Sequence, residues 1–431
     1  STRAPHDFTS GKRATATIQL GKYGFRSAVS IKSVVFQLGR LTFFSWKCLF
    51  ALLETTNFVF SSSKLVSVSN IVSFTYTMTG VDAVGAFVGG QRLYATGDPL
   101  DQGMEWAKTL PRCCLQSNST SIMLRYGRTQ FKLAEFSPES SSDFDSDDRP
   151  VVVLINGLAL WSIAWTKLEH ALTAKDSCKA LLTYDRYGRG LSDVAVDPQT
   201  SQPVPHSPDL YAQQLEELLF GVRLRCGRPL RQARLVLVGA SMGGMIATKY
   251  AAMCPEMVSR LVLLAPAALK PPRPILAPDV ALLRVWGIGH AAFALIGRAA
   301  MLRQLRAKQL RDDVPDLCET DPELLRDLMD ALTWQITRKP GFLWDFYRDL
   351  TQMPWGGLQQ EAEAIGSRCS FPVDLVWGSE DPTVPPEYAH EWRTRIPRAS
   401  LTVIDGAAHS PYLTSEHAER IARVVLGAAG R

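Results

Sequence analysis

Nowhere in its 431 residues does the chain run for roughly 18 apolar residues without a charge, which excludes a protein that weaves repeatedly through a bilayer. No two of the eight cysteines (Cys48, Cys113, Cys114, Cys178, Cys226, Cys254, Cys318, Cys369) stand in C-x-x-C spacing. That removes the signature of a structural zinc site and of a small disulfide scaffold, and leaves a reducing compartment as the default. Acids are nearly missing from one end: residues 1–80 hold only Asp7 and Glu54 against nine Lys/Arg. The remaining chain carries 40 acids and 38 Lys/Arg, so the net charge of +5 belongs to the N-terminal segment. Those basic residues are scattered, which argues against a nucleic-acid partner. The apolar run over 41–60 is interrupted by Lys47 and Glu54, which argues against a membrane anchor. A basic, Ser/Thr-rich leader resembles a transit peptide, implying plastid or mitochondrion, with the cytoplasm as the destination otherwise. A solvated tail has the same composition.

With 46% hydrophobic and 21% charged residues, the chain is globular in composition. Sustained patterning begins near residue 120. Ile122, Leu124 and Tyr126 alternate with other side chains, Gly127-Arg128 turns the chain, and Phe131 and Leu133 continue it, which predicts a hairpin. The acidic, Ser-rich stretch 137–148 has no apolar face and reads as a solvated loop. Short apolar runs then alternate with helical patterns, at 151–155, 181–184, 235–238, 261–264, 373–377 and 401–404. Such runs predict an α/β architecture with a parallel sheet covered on both faces. About a hundred residues between the fourth and fifth runs show no strand pattern. Pro271, Pro272 and Pro274 open this gap, and Trp286, Phe293, Trp334, Phe342, Trp344, Phe346, Tyr347 and Trp355 populate it. The expected division is an N-terminal extension at 1–115, a core at 116–270 and 366–431, and a helical insertion at 271–365.

The chemistry-bearing residues sit at the ends of these runs. Gly239-Ala240-Ser241-Met242-Gly243 follows the 235–238 run and precedes a helical pattern, giving G-x-S-x-G in strand–turn–helix context. Small neighbours, Gly239 and Gly243, let strand and helix approach closely, and the Met242 N–H at the helix start can donate to an oxyanion. A serine in that position needs a base after it in the chain, preceded by an acid. Of seven histidines, His409 follows a strand run on a loop, where open α/β sheets build their sites. Asp381 occupies the turn after the 373–377 run; Glu380 is its neighbouring candidate, and Asp381 is taken for its place in that turn. Asn156-Gly157-Leu158 follows the 151–155 run and would supply the second oxyanion donor from the Leu158 N–H. The loop Asp185-Arg186-Tyr187-Gly188-Arg189-Gly190-Leu191-Ser192-Asp193 suits a tight turn, with Arg186 and Asp193 in a structural polar network.

Together these segments resemble the α/β-hydrolase superfamily over residues 120–431. The resemblance implies an eight-stranded, mostly parallel sheet, a helical cap formed by the insertion, and Ser241, Asp381 and His409 as a triad. Asn156 stands where many members have His. Serine at 241 departs from the epoxide-hydrolase and haloalkane-dehalogenase branches, which use Asp. The expected activity is cleavage of a carboxylic ester or related acyl bond in a small apolar substrate, without a metal or organic cofactor. Other triad chemistry (C–C or peptide hydrolysis, acyl transfer, perhydrolysis) and slow, receptor-like turnover stay open.

Overall fold

The computed structural model describes residues 94–96, 109–111, 119–136, 149–174, 178–285, 287–307, 313–315 and 317–427. No helix among them is long and apolar enough to cross a membrane. The chain divides into two compact units, Ser1–Ala86 and Phe87–Arg431, and every described residue belongs to the second. The 1–80 leader, the 41–60 run, the 137–148 loop and Trp286 lie outside the described residues.

Strands β1 (Tyr94–Thr96), β2 (Ser119–Leu124), β3 (Gly127–Glu135), β4 (Val151–Ile155), β5 (Ala180–Tyr184), β6 (Leu235–Ala240), β7 (Val258–Leu264), β8 (Val373–Gly378) and β9 (Ser400–Ile404) form one sheet. Its order is β1-β2-β3-β5-β4-β6-β7-β8-β9. From β5 to β9 all neighbours are parallel, while β1, β2 and β3 join antiparallel. All six apolar runs and the hairpin are therefore strands. One strand more than eight is present among the described residues: β1 pairs with β2 and falls inside the stretch expected as an N-terminal extension. Thr109 of the same stretch accepts a hydrogen bond from Trp334 Nε1 at 3.1 Å, so the fold reaches further back than residue 116.

The two innermost strands, β4 and β6, carry no polar side chain because both faces of the sheet are covered there. In β4, Val151, Val153 and Ile155 enter one core cluster and Val152 and Leu154 the other, following the two-residue period of the pleat. All five are fully buried, each stabilising the fold by about 1.5–3 kcal/mol relative to exposure.

Helices α1 (Thr166–Thr173), α2 (Pro208–Gly221) and α3 (Met242–Met253) connect the first parallel strands. The start of α2 is fixed by Ser207, whose Oγ accepts from the Leu210 N–H, and by Pro208 at the first helical position. Between β7 and β8 come α4 (Pro278–Leu283), α5 (Ile288–Ala307), α6 (Leu317–Thr320), α7 (Pro322–Thr337), α8 (Phe342–Gln352) and α9 (Gln359–Arg368). After β8 follow α10 (Ala389–Arg395) and α11 (Ser415–Val425). The boundary expected at 365/366 falls inside α9, whose Ala362 and Ile365 belong to the same core cluster as Leu261 and Val373. The excursion closes earlier: the Gly356 N–H donates to Ala267 O at 3.2 Å and the Leu358 N–H to Ala268 O at 3.0 Å. Residues 269–355 thus leave and rejoin the core at one point.

Candidate active site

The strand order reverses beside β4, since the chain steps from β4 to β5 on one side and then to β6 on the other. Such a switch leaves a crevice at the carboxyl ends of the two strands that flank it. The ends of β4 and β6 are neighbours, with Ile155 in register with Gly239. Asn156-Gly157-Leu158 and Ser241 therefore emerge side by side.

Ser241 has φ 53° and ψ −115°, an unfavourable conformation for a non-glycine residue. It is held there from both sides: its N–H donates to Leu264 O at 2.9 Å, and its carbonyl accepts from Gly244 and Ala267 at 3.0 and 3.1 Å. The turn is possible because Gly243 presses on the end of β4. A methyl group at 243 would lie 2.0 Å from Ile155 O and 2.7 Å from Asn156 O. Gly157 faces the serine, its hypothetical Cβ 3.5 Å from Ser241 Cβ. Met242, fully buried, opens α3. Asn156 is buried too and donates through Nδ2 to Tyr184 O at 3.0 Å, tying the end of β4 to β5.

At the ends of β8 and β9, His409 Nδ1 lies 2.8 Å from Asp381 Oδ2. A carboxylate only accepts, so Nδ1 carries the proton and Nε2 is left as the basic nitrogen. The other oxygen, Asp381 Oδ1, accepts from the Thr383 and Val384 N–H groups at 2.8 Å each. Glu380 is exposed, and its N–H donates to Ala407 O at 3.0 Å, stitching the acid's turn to the histidine's loop. Asp381 and not Glu380 therefore reaches His409. No side-chain hydrogen bond joins Ser241 to His409 within 3.5 Å among the described contacts.

Burial by itself would lower the pKa of His409, but the Asp381 carboxylate, its hydrogen bond and the charge of Asp313 together raise it above 6.5. Asp313 comes from the excursion between α5 and α6. Its Oδ1 accepts from Thr383 Oγ1 at 2.9 Å and its carbonyl from the Ser410 N–H at 3.1 Å, so it touches the loops of both Asp381 and His409. The sequence gives no sign of this residue, which lies outside every motif.

A second cluster lies beneath the Gly157 loop. Arg186 Nη2 donates to Gly157 O at 2.6 Å and Leu158 O at 3.1 Å, and Arg189 Nε to Leu158 O at 2.7 Å. Both guanidinium groups are fully buried. Asp349 of α8 receives Arg189 Nη2 at 2.5 Å, His206 Nδ1 at 2.8 Å and the Tyr211 hydroxyl at 2.7 Å. Burial would raise the Asp349 carboxyl, but Arg189, His206 and Arg186 outweigh it and hold it well below the usual range. Burial likewise would lower His206, and the Asp349 and Asp345 carboxylates raise it instead. Arg186 does enter a polar network as expected, whereas Asp193 joins a different one, accepting from the Arg128 N–H at 2.9 Å. Arg189, His206 and Asp349 were not legible as partners, because 160 residues separate Arg189 from Asp349. Among the described residues no group of three His, Cys, Asp or Glu side chains is placed to hold a metal ion.

Known proteins agree with this architecture. The model of the alpha/beta hydrolase family matches residues 152–424. An uncharacterised protein of Mycobacterium bovis is 24% identical over 279 residues, 61% of this chain and 71% of the relative. A cis-3-alkyl-4-alkyloxetan-2-one decarboxylase of Xanthomonas campestris is 24% identical over 272 residues, 62% of this chain and 84% of the relative. The crystal structure of a Pseudomonas aeruginosa hydrolase superposes with a TM-score of 0.52 at 19% identity, covering 73% of this chain and 99% of that one. With that fold, and with a family match across most of the chain, this protein is a member of the alpha/beta hydrolase family.

Proposed function

We propose that the protein is a serine hydrolase that cleaves a carboxylic ester, or a related acyl bond, through an acyl-enzyme on Ser241. The observation that carries this reading is the Asp381–His409 pair, joined at 2.8 Å on the same sheet edge as the strained serine. Ser241 Oγ attacks the acyl carbonyl while His409 Nε2 accepts its proton. The imidazolium then protonates the leaving group, and Asp381 stabilises it meanwhile. In the second half-reaction His409 activates water, which releases the acid and restores the serine. Negative charge on the tetrahedral oxygen is met by the N–H groups of Met242 and Leu158, backbone dipoles that need no reorganisation. The residues 269–355 act as the cap over the site, and their apolar helices favour a substrate with an apolar acyl group. The decarboxylase name of the Xanthomonas relative favours, as a second reading, an acyl group held in a cyclic ester.

The test is labelling with a fluorophosphonate probe, alongside hydrolysis of p-nitrophenyl esters of short, medium and long acyl chains and of a β-lactone. Wild type is compared with Ser241→Ala and His409→Ala. Labelling and turnover in wild type alone are expected. A folded wild type that neither labels nor turns over any ester overturns the reading and favours a sensing role. Turnover of the lactone but not of open-chain esters selects the second reading.

A further inference from the structure

Helix α8 buries two carboxylates one turn apart, Asp345 and Asp349, both with no solvent exposure. Buried charge on a helix face is costly unless met by opposite charge and hydrogen bonds. On this helix Phe342, Phe346 and Asp349 follow one another at helical spacing and all address Arg189. Its guanidinium carbon lies 5.0 Å and 5.6 Å from the two ring centres, and its Nη2 reaches Asp349 Oδ2. The other edge of Arg189 holds Leu158 O. Arg186, also within 3.7 Å of Asp349, holds Gly157 O.

A trans peptide is planar, with its carbonyl and N–H pointing in opposite directions. Pinning Gly157 O therefore fixes the direction of the Leu158 N–H on the far side of the same plane. Pinning Leu158 O with two donors fixes the next plane as well. From the neighbouring helix, Gln335 does the same for the following residue: its Nε2 donates to Ala159 O at 2.9 Å and its Oε1 accepts from the Gly190 N–H at 2.8 Å. Asn156 is held to β5 through Tyr184 O, while the grips on the carbonyls of Gly157, Leu158 and Ala159 lead back to α7 or α8.

We propose that Asp349 is a positioning residue that, through Arg186 and Arg189, aims the Leu158 N–H at the reacting oxygen, so that the insertion completes the oxyanion hole from behind. The inference rests on the serine-hydrolase reading for the identity of the donor, but the clamp itself does not. Two buried guanidinium groups repel each other, and Asp349 is the carboxylate they share. Without it the pair separates and the two carbonyls lose their fixed donors. The loop then samples orientations in which the Leu158 N–H misses the oxygen.

The full-length chain is tested as Asp349→Asn and Asp349→Ala, with Asp345→Asn as a comparison on the same buried helix face. Asp345 pairs with His206 and Arg348 and acts on Arg189 through its charge, but among the described residues it makes no hydrogen bond or ion pair with Arg186 or Arg189. For the Asp349 variants kcat is expected to fall about 10²-fold, the scale of losing one oxyanion donor, with KM changed less than about threefold. Asp345→Asn is expected to lower the melting temperature while kcat stays within about threefold. Amide hydrogen exchange of the 156–160 segment is expected to accelerate in the Asp349 variants and not in Asp345→Asn. A folded Asp349 variant with unchanged exchange in that segment overturns the clamp, whatever the activity. Accelerated exchange with unchanged kcat overturns its role in catalysis. Accelerated exchange in a protein whose wild type neither labels nor hydrolyses leaves the clamp standing and removes the serine-hydrolase reading. Where Asp349→Ala does not fold, Asp349→Asn, whose single amide oxygen can still accept from Tyr211 at the Oδ1 position while its NH2 faces Arg189, carries the test.

Discussion

Replacing Asp381 by Asn separates the orienting role of this carboxylate from its structural one. Asp381 Oδ1 accepts two backbone N–H groups, from Thr383 and Val384, and the amide oxygen of Asn can keep both. The amide nitrogen then faces His409 Nδ1, where Asp381 Oδ2 stood at 2.8 Å. A donor opposite a donor is untenable, so the imidazole moves its proton to Nε2 and cannot accept one from Ser241. The expected loss in kcat is about 10⁴-fold, a barrier rise of about 5 kcal/mol. Because the turn keeps its hydrogen bonds, stability should fall only by the charged bond to His409, about 1.5–3 kcal/mol. Ester hydrolysis and fluorophosphonate labelling rates read the first quantity, and urea unfolding reads the second. Glu380→Gln, at an exposed position one residue away, should leave both within twofold and about 0.5 kcal/mol. A folded Asp381→Asn protein retaining more than a tenth of wild-type kcat refutes the assignment. So does a Glu380→Gln protein that loses as much.

Gly243→Ala places a methyl group 2.0 Å from Ile155 O, which forces the serine turn and β4 apart by about an ångström. Unfolding measurements should show a loss of about 1–3 kcal/mol, and turnover a loss near 10²-fold; unchanged turnover would mean that the turn does not depend on this contact. Asp313→Asn removes one of the charges that raise the His409 pKa, so the acidic limb of the kcat/KM profile should move to lower pH with little change in the plateau. An unmoved limb shows that Asp313 does not act on the base. His206 has a folded-state pKa raised above 6.5, so its contribution to stability is full below that value and is lost as pH rises through the raised pKa. Over that window the chain should lose up to about 1.4 kcal/mol per pH unit for this one proton. His206→Gln should flatten the slope, compared in a His409→Asn background because His409 acts with the same sign; equal slopes with and without His206 contradict the account.

The sheet was readable in the sequence because its central strands are short, largely apolar runs separated by helical patterns. Ser241, Asp381, His409 and Leu158 all lie at such strand ends, where the motif and the local pattern coincide. Strand β1 was missed because Tyr94-Ala95-Thr96 is only three residues long, too short for a period of two to register. Helix α9 was divided wrongly because its core contacts come through Ala362 and Ile365 alone, a weak apolar signal beside the aromatic helices before it. Asp313, Asp349 and His206 belong to a different class. An acidic or imidazole side chain on a helix or loop reads as solvated by default. Only the fold, by bringing Arg189 within 2.5 Å of a residue 160 positions away, makes it part of a buried pair.

The paired hydrogen bonds at Ala267–Gly356 and Ala268–Leu358 have a consequence for how such a chain can be altered. Both ends of the 269–355 excursion are held a few ångströms apart by the core itself, so the junction is already closed whatever hangs from it. Loop-closure cost rises only slowly with length, by about 0.6 kcal/mol per doubling. Material at this junction can therefore be lengthened, shortened or transplanted without re-registering β7 against β8. A graft of the excursion must keep the four backbone groups paired at this seam, and the Arg273–Thr383 and Asp313–Ser410 bonds to the core loops. Its inner surface is bound by a stricter condition, since any replacement must still present an anion to the two arginines.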